Sequence, residues 1–377
     1  MNILLIPDKF KESLTADGVI KALKKGILKS QPGAHISSLI ASDGGDGFLG
    51  AVSEYVKCKK IITKTEDPLG RMLNTYFLYD PENRIAFIEL AKTAGLELLT
   101  EKEKSPMTTS TFGTGIQIGQ AIEKGATTIY VGLGGSATND GGMGMAAALG
   151  YEFKDASGKL LSPEGGNLKK IASIHTTAKV HDIDPISVIA VNDVENPLFG
   201  TNGAAYIYAK QKGASLEEIK TLDSGLRNLD AKVNQHLKKS NALDPGSGAA
   251  GGMGYGITTF LNGKATSGID FIMKLAKVES ILAGRSYDYI ITGEGKFDAQ
   301  TLNGKLINGV VKLGRHHNIP IIVVCGQSDI QIDRSSTLGL HAIIEIMDRS
   351  KPLTYNMQNA AILIERKIRD YFKRTIH

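Results

Sequence analysis

The stretch from 131 to 144, VGLGGSATNDGGMG, concentrates glycines and small polar side chains in one segment. It follows the apolar run TTIYV and precedes MAAAL, so we expect it to join a strand to a helix. Glycine permits positive φ angles, and free N–H groups at the start of a helix can bind an anion. We therefore predict that Gly134, Gly135, Ser136 and Thr138 bind phosphate. The alternative is that the glycines serve turns and packing.

Carboxylates follow several of the apolar runs that are expected to form strands. These positions are Asp8, Asp43, Asp46, Asp193, Glu294 and Asp298. Ligands of open α/β sheets bind at the carboxyl ends of the strands. Carboxylates there can hold Mg²⁺ or accept a proton from a hydroxyl group. One such residue alone could equally cap a turn, but the set together favours a catalytic site.

Basic residues lie beside the same segments. They are Lys9, Lys11, Arg71, Lys296 and Lys305. A single lysine in a loop is usually a solvated charge, whereas several basic residues beside glycine-rich loops favour contacts to an anion.

The common nucleotide and hydrolase motifs are absent. The sequence has no GxxxxGK[ST] phosphate loop, no GxSxG nucleophile motif and no HExxH metal motif. A GxGxxG match at 246–251 follows Leu-Asp-Pro where a dinucleotide site requires a strand. These observations argue against a P-loop enzyme, a serine hydrolase and a zinc protease.

Composition is that of a soluble globular protein with about two domains of roughly 150 residues each. The 377 residues carry a net charge of +5, a small and dispersed excess that does not indicate nucleic-acid binding. Two cysteines without metal-ligand spacing favour a reducing compartment. The N-terminal NILLI is expected to be a strand, and no apolar run approaches the ~18 residues of a membrane span.

The chain is expected to open as strand, helix and strand, through NILLI, GVIKALKKGILKS and ISSLIA. The later runs YDYIITG, PIIVVCG and HAIIEIM are expected to be parallel strands of the same sheet. Residues 61–90 indicate paired strands with turns at DPLG and DPEN. We therefore predict a two-domain α/β fold: a Rossmann-like parallel-sheet domain from 1–62 plus 265–377, and an inserted mixed α/β domain, rich in glycine loops, from 63–264.

Glycine loops, hydroxyl donors, carboxylates and basic residues together suit phosphoryl transfer. That reaction depends on positioning and charge neutralisation more than on covalent chemistry. The residues favour a kinase or another phosphate-handling enzyme that acts on a small acid or polyol. A non-catalytic protein that binds a small anion is the alternative.

Ten motifs, in one order along nearly the whole chain, carry a family resemblance. They are IPDKFKESLTA (6–16), ASDGGDG (41–47), DPLGR (67–71), IELAKTAGL (88–96), TTSTFGTGIQI (108–118), GLGGSATNDGGMGMAAALG (132–150), NDVENPLFG (192–200), KQKGAS (210–215), GSGAAGGMGYG (246–256) and ITGEGKFDAQTLNGK (291–305). In these motifs the sequence resembles the type-1 bacterial glycerate kinases.

The resemblance implies ATP-dependent phosphorylation of D-glycerate with Mg²⁺, in the cytoplasm, at an active site in the cleft between two domains. It favours the 2-hydroxyl and hence 2-phosphoglycerate. A small rotation of glycerate would present the 3-hydroxyl and give 3-phosphoglycerate. The expected partners are glycerate and ATP, with no nucleic acid and no membrane.

Site roles follow as expectations. Asp193 is the expected catalytic base, Lys11 and Asp43 are the other expected catalytic residues, and Asp43 and Asp298 are expected to hold Mg²⁺. The expected substrate contacts are Asp8, Arg71, Asn139 and Asp140, and the expected contacts to nucleotide or phosphate are Gly134, Gly135, Ser136, Thr138, Glu294 and Lys296.

Overall fold

The computed structural model describes residues 1–10, 12–40, 44–45, 47–178, 185–297, 305–329 and 339–375. In these ranges the strands are β1 (Asn2–Pro7), β2 (His35–Ser38), β3 (Lys59–Glu66), β4 (Met72–Asp80), β5 (Ile85–Glu89), β6 (Thr128–Gly132), β7 (Tyr151–Lys154), β8 (Ser173–Thr176), β9 (Ser187–Val191), β10 (Lys264–Thr266), β11 (Tyr289–Phe297), β12 (Ile321–Ser328) and β13 (Ala342–Glu345). The α-helices are α1 (Ala16–Ser30), α2 (Phe48–Tyr55), α3 (Ala91–Ala94), α4 (Phe112–Glu123), α5 (Met143–Ala148), α6 (Ala204–Tyr208), α7 (Leu216–Leu237), α8 (Ala249–Phe260), α9 (Gly268–Leu275), α10 (Val278–Ala283), α11 (Lys305–His316), α12 (Leu353–Gln358) and α13 (Ala360–Thr375). No helix among the described residues has both the length and the apolar character needed to cross a membrane.

One compact unit consists of Met1–Ser42 and Ile269–His377. Its five strands lie in the order β13-β12-β11-β1-β2, and every neighbouring pair is parallel. Strand β1 is buried along almost its whole length, which is typical of a parallel sheet covered on both faces. The apolar runs at the two ends of the chain therefore form one sheet, as the sequence predicted.

The second compact unit is Asp43–Gly268. Its main sheet has the order β10-β9-β6-β5-β4-β3, in which β3, β4 and β5 are antiparallel and β5, β6, β9 and β10 are parallel. Glu66 pairs with Met72 across the first predicted turn, and Asp80 pairs with Ile85 across the second. The prediction of paired strands within 61–90 is confirmed.

The first boundary between the units lies earlier than the sequence predicted. The units divide at 42/43 and 268/269, compared with the predicted 62/63 and 264/265. The Glu89 carboxylate at the end of β5 accepts bonds from the N–H groups of Gly47 (3.2 Å) and Leu49 (3.0 Å) at the start of α2. Strand β3 pairs along its whole length with β4. These hydrogen bonds join residues 47–66 to the inserted unit.

Helices α1 and α13 pack closely where α1 has no side chain. A Cβ on Gly26 would lie 2.3 Å from Cγ2 of Ile368 and 2.5 Å from the carbonyl oxygen of Glu365. The carboxylate of Glu365 forms ion pairs with Lys25 and Lys29 on either side of this glycine. The approach of the two helix backbones therefore depends on glycine at this position.

We expect Gly26→Ala to destabilise the unit built from both chain ends by about 1–3 kcal/mol, because the added methyl group overlaps backbone and side-chain atoms of α13. Gly18→Ala in the same helix is the control, since a Cβ there meets its nearest atoms at 3.4 Å. Thermal unfolding followed by circular dichroism measures both. Equal midpoints for the two variants would contradict the close packing at Gly26.

Candidate functional site

The glycine-rich loop leaves the carboxyl end of β6 and ends at the start of α5, as the sequence predicted. Gly135, Gly141 and Gly142 have φ angles of 71°, 64° and 75°, in the left-handed region that other residues rarely adopt. A Cβ on Gly134 would lie 2.1 Å from the Cα of Gly45. The glycines therefore serve turns and close backbone packing, as the alternative interpretation expected.

Most backbone N–H groups of this loop are used within the protein. Those of Gly142 and Gly144, at the start of α5, donate to the Asp140 carboxylate. The helix N-terminus is therefore closed to an anion, and this part of the expectation is wrong. The N–H groups of Gly135 and Ser136 differ, because they donate to no residue in the described part of the chain.

Asp140 organises the loop from inside the protein. It is 0% exposed, and its Oδ2 accepts bonds from the backbone N–H (2.8 Å) and the hydroxyl (2.7 Å) of Thr111 and from Gly144 N–H (3.1 Å). Its Oδ1 accepts a bond from Gly142 N–H (3.1 Å). Burial raises the pKa of Asp140, and these donors oppose the rise. The contacts are internal ones that hold the loop against α4; a contact of Asp140 with substrate stays a prediction.

The two residues before Asp140 are also buried. The side chains of Thr138 and Asn139 are 0% exposed. Neither the Thr138 hydroxyl nor the Asn139 amide has a hydrogen-bond partner among the residues that the structure describes. Their predicted contacts with phosphate and substrate are untested.

The second glycine-rich segment, 246–256, packs its backbone against the first. A Cβ on Gly251 would lie 2.0 Å from the carbonyl oxygen of Thr138, and one on Gly252 would lie 2.7 Å from the Cα of Gly141. Ala249 and Ala250 at the start of α8 line a cavity beside the first loop. This segment is therefore a packing partner of the first glycine loop.

The cavity has a volume of about 220 Å³ and lies within the inserted unit. Its lining includes the loop residues Gly134, Gly135 and Ser136 together with Asp193, Tyr208 and Lys212. Strands β6 and β9 are parallel neighbours, with Gly132 opposite Val191. The segments that follow the two strands therefore leave the same edge of the sheet, which brings Asp193 to the glycine loop.

Asp193 is held in place at this edge. Its Oδ1 accepts a bond of 3.0 Å from the N–H of Gly268. The neighbouring Asn192 donates its N–H to the carbonyl oxygen of Thr266 at the end of β10. The residue is half-buried and lines the cavity, with its Oδ2 atom buried, and a carboxylate is the type of group that accepts a proton from a hydroxyl.

Lys212 is a cavity residue that the sequence analysis did not assign. Its Nζ donates to Ser136 Oγ (2.8 Å) and to the carbonyl oxygen of Thr138 (2.7 Å), and the side chain is 2% exposed. Burial lowers its pKa to about 7, although Asp140 acts in the opposite direction. The only sequence signal was its presence in the motif KQKGAS, where Lys210 and Lys212 flank one glutamine and nothing distinguishes them.

A second, larger cavity of about 630 Å³ lies within the unit built from both chain ends. Asp8 and Lys9 follow β1, and Glu294 and Lys296 belong to the last part of β11, which continues to Phe297. The lining also includes Ile346, Met347, Leu353 and Met357. The predicted nucleotide residues Glu294 and Lys296 therefore line a different cavity from the glycine loop.

Two carboxylates of this larger cavity lie close along the chain to adjacent strands: Asp8 follows β1, and Glu294 belongs to β11. Asp8 N–H donates to the carbonyl oxygen of Gly293 (2.8 Å), which precedes Glu294. Mg²⁺ usually binds one or two carboxylates together with the phosphates of a nucleotide, and Asp8 and Glu294 fit that pattern. In the described ranges no three or more histidine, cysteine or acidic residues group closely enough to hold a metal by themselves.

Arg71 is not brought to either cavity. Its guanidinium forms ion pairs with Asp67 (2.5 Å) and Glu103 (2.6 Å) and donates to the carbonyl oxygen of Leu98 (3.3 Å). These hydrogen bonds raise the pKa of the guanidinium. Its expected contact with substrate stays a prediction.

Four candidate residues lie outside the described part of the chain. They are Lys11, Asp43, Asp46 and Asp298. Their expected roles in catalysis and in Mg²⁺ binding are untested by the geometry above.

We expect Asp140→Asn to lower the free energy of unfolding of the inserted unit by about 2–4 kcal/mol, because an amide NH₂ replaces an oxygen that accepts hydrogen bonds in a buried site. Asp155→Asn is the control. That carboxylate also accepts bonds from nearby backbone and hydroxyl groups, but at an exposed turn, and a much smaller change is expected. Urea titration measures both. Similar midpoints would show that the Asp140 network does not stabilise the loop.

Comparison with known proteins places these features in a family context. The model of the glycerate kinase family matches residues 3–375. A glycerate kinase of Halalkalibacterium halodurans is 34% identical over 368 residues, which cover 98% of this chain and 96% of that protein. A glycerate 2-kinase of Escherichia coli is 35% identical over 347 residues, covering 92% of this chain and 91% of that protein.

A solved structure agrees with these relatives. The crystal structure of a protein described as glycerate kinase 2 from Salmonella typhimurium superimposes with a TM-score of 0.81 at 33% identity. The match covers 99% of this chain and 98% of that one.

Proposed function

Because the chain belongs to the glycerate kinase family, we propose that it uses ATP and Mg²⁺ to phosphorylate the 2-hydroxyl of D-glycerate, with release of ADP and 2-phosphoglycerate. Family membership shows a kinase that acts on glycerate. The nucleotide, the metal and the hydroxyl group are the proposed part. The name of the Escherichia coli relative, glycerate 2-kinase, supports the choice of hydroxyl.

The cavity that combines Asp193 with the glycine loop is the observation that carries the proposal. Its volume of about 220 Å³ is below the ~300–1,000 Å³ typical of pockets for larger ligands, which suits a three-carbon acid. The N–H groups of Gly135 and Ser136 supply donors for an anionic oxygen. A base and anion donors in one small cavity are what a hydroxy acid requires when its hydroxyl group is to become a nucleophile.

In the proposed reaction Asp193 accepts the proton of the 2-hydroxyl group. The hydroxyl oxygen forms a bond to the terminal phosphorus of ATP, while the bond from that phosphorus to the bridging oxygen breaks and ADP leaves. The hydrogen bond from Gly268 N–H to Oδ1 restricts rotation of the carboxylate. A positioned base of this kind typically contributes ~10²–10⁴-fold to the rate.

The larger cavity supports the assignment of the nucleotide. Its volume of about 630 Å³ suits a nucleoside triphosphate, and it lies at the carboxyl edge of a parallel sheet, where α/β proteins bind such ligands. Leu353 and Met357 offer an apolar surface for the base. Asp8 and Glu294 would hold Mg²⁺, which when bound neutralises phosphate charge, and Lys9 would contact phosphate oxygens.

The decisive experiment incubates the purified protein with Mg-ATP and D-glycerate and identifies the product by ³¹P NMR. A 2-phosphoglycerate signal with ADP release is expected. A 3-phosphoglycerate signal would keep the kinase and change the hydroxyl group that is presented to ATP. Binding of glycerate without turnover would favour a protein that only binds a small anion.

We expect Asp193→Asn to lower kcat by about 10²–10⁴-fold, because the amide does not accept the hydroxyl proton. The KM for glycerate should change little, since the amide oxygen can still accept the bond from Gly268. The control is Glu195→Gln, which neutralises an exposed carboxylate two residues further on. Steady-state ADP release measures both variants, and a kcat near that of the wild type for Asp193→Asn would remove it from the role of base.

We expect Leu353→Gln to raise the KM for ATP by roughly 5- to 20-fold, because apolar contact area with the base is lost. The KM for glycerate should be unchanged. Ile362→Gln is the matched control: Ile362 is 65% exposed on α13, compared with 61% for Leu353, and it does not line the cavity. Equal ATP affinity in the two variants would exclude this cavity as the nucleotide site.

A further inference from the structure

Lys212 is buried to a degree that is unusual for its residue type. Lysine is almost never fully buried unless its charge is paired. Lys212 is 2% exposed, yet its Nζ contacts two neutral oxygens, Ser136 Oγ and the carbonyl oxygen of Thr138. In the part of the chain that the structure describes, no carboxylate forms an ion pair with it. A buried cation with two neutral partners is suited to receive an anion from outside the protein.

The hydrogen-bonding capacity of the nitrogen leads to the same conclusion. A lysine ammonium group has three N–H donors. Two of them are used at 2.8 Å and 2.7 Å, and among the described residues no acceptor is recorded for the third. Lys212 lines the same cavity as Asp193, so a ligand bound in that cavity would lie beside this nitrogen.

The backbone keeps this lysine in place. Lys212 ends the 3₁₀ turn Lys210–Lys212, and its N–H donates to the carbonyl oxygen of Ala209. Gly213 follows with a φ of 98°, and a Cβ there would lie 2.2 Å from the carbonyl oxygen of Lys104. The side chain therefore enters the glycine loop from a turn that permits little adjustment.

We propose that Lys212 binds the carboxylate of glycerate, with its third N–H donating to a carboxylate oxygen beside the N–H groups of Gly135 and Ser136. In glycerate the carboxylate is attached to the carbon that carries the 2-hydroxyl group. A cation for the carboxylate and a base for that hydroxyl must therefore share one small cavity, as Lys212 and Asp193 do. This inference rests on the proposed function and adds a substrate-binding residue to it.

Proton uptake is the signature of this contact. Burial lowers the pKa of Lys212 to about 7, so the free amine is mostly neutral at pH 8. The titratable groups near it are Asp140, which raises its pKa, and Asp193 and Tyr208, which line the same cavity. An arriving carboxylate favours the ammonium form, so binding at pH 8 should take up a proton from solvent.

Calorimetry of the wild-type protein at pH 8 tests this directly. D-Glycerate is titrated, with Mg²⁺ and a non-hydrolysable ATP analogue present, in two buffers of different ionisation enthalpy. We expect uptake of roughly 0.5–1 proton per glycerate from the linkage of binding to protonation. Lys212→Arg should abolish the uptake, because the guanidinium stays protonated. No uptake by the wild type would overturn the proposal, whether or not any variant folds.

Variants provide the second test. Lys212→Met keeps the length of the side chain and removes the charge. We expect the Kd and KM for glycerate to rise about 10- to 100-fold, which corresponds to the free energy of one lost charge-assisted hydrogen bond. The KM for ATP should stay within about threefold, as should all constants of the control Lys210→Met, which alters the exposed lysine of the same turn. Near-ultraviolet circular dichroism checks that both variants are folded.

Other outcomes would reject the assignment. A rise in the KM for ATP alone would mean that Lys212 contacts the transferred phosphoryl group. A collapse of kcat with unchanged glycerate affinity and no proton uptake would make the neutral amine the base. Failure of the wild type to bind glycerate at all would overturn the proposed function itself, and this inference with it.

Discussion

The Asp140 carboxylate is the interaction on which the arrangement of the site depends. Its bonds to Thr111, Gly142 and Gly144 join the start of α4, the end of the glycine loop and the start of α5 at one buried point. Positive φ angles at the neighbouring glycines would otherwise leave this segment with many conformations. A carboxylate that accepts hydrogen bonds from several N–H groups at once stabilises one of these conformations over the others. The amides of Gly135 and Ser136, which donate to no other described residue, are thereby held beside the cavity.

Lys212 is a second buried ionisable residue that holds this loop, and it contacts the loop from the turn at 210–212. A buried charge costs free energy unless hydrogen bonds and opposite charge offset that cost. Asp140 obtains N–H and hydroxyl donors, and Lys212 obtains two oxygens and the favourable field of Asp140. The two side chains hold a loop whose glycines provide no side-chain packing. Such preorganisation benefits a kinase, since little reorganisation remains when charge moves during phosphoryl transfer.

Under the proposed function, the two parallel edges of the fold divide the chemistry between the units. In the inserted unit, β6 and β9 present a glycine loop and Asp193 beside a small cavity. In the other unit, β1 and β11 present Asp8 and Glu294 beside a larger one. Both groupings of residues arise because segments that leave neighbouring parallel strands lie at the same edge of the sheet. The difference in cavity size favours glycerate for the first and the nucleotide for the second.

The sequence by itself determined the family, the parallel strands at both chain ends, the paired strands near residues 61–90 and the positions of Asp8 and Asp193 after strands. Apolar periodicity and strand-end carboxylates are local signals, and they depend on neighbours close in the chain. Only the tertiary structure decided that Lys212 is buried against Ser136, 76 residues earlier, that Arg71 is engaged by Asp67 and Glu103, and that the unit boundary lies at residue 42. Burial and ion pairing depend on which distant segments the fold brings together, and nothing local in KQKGAS distinguishes Lys212 from Lys210.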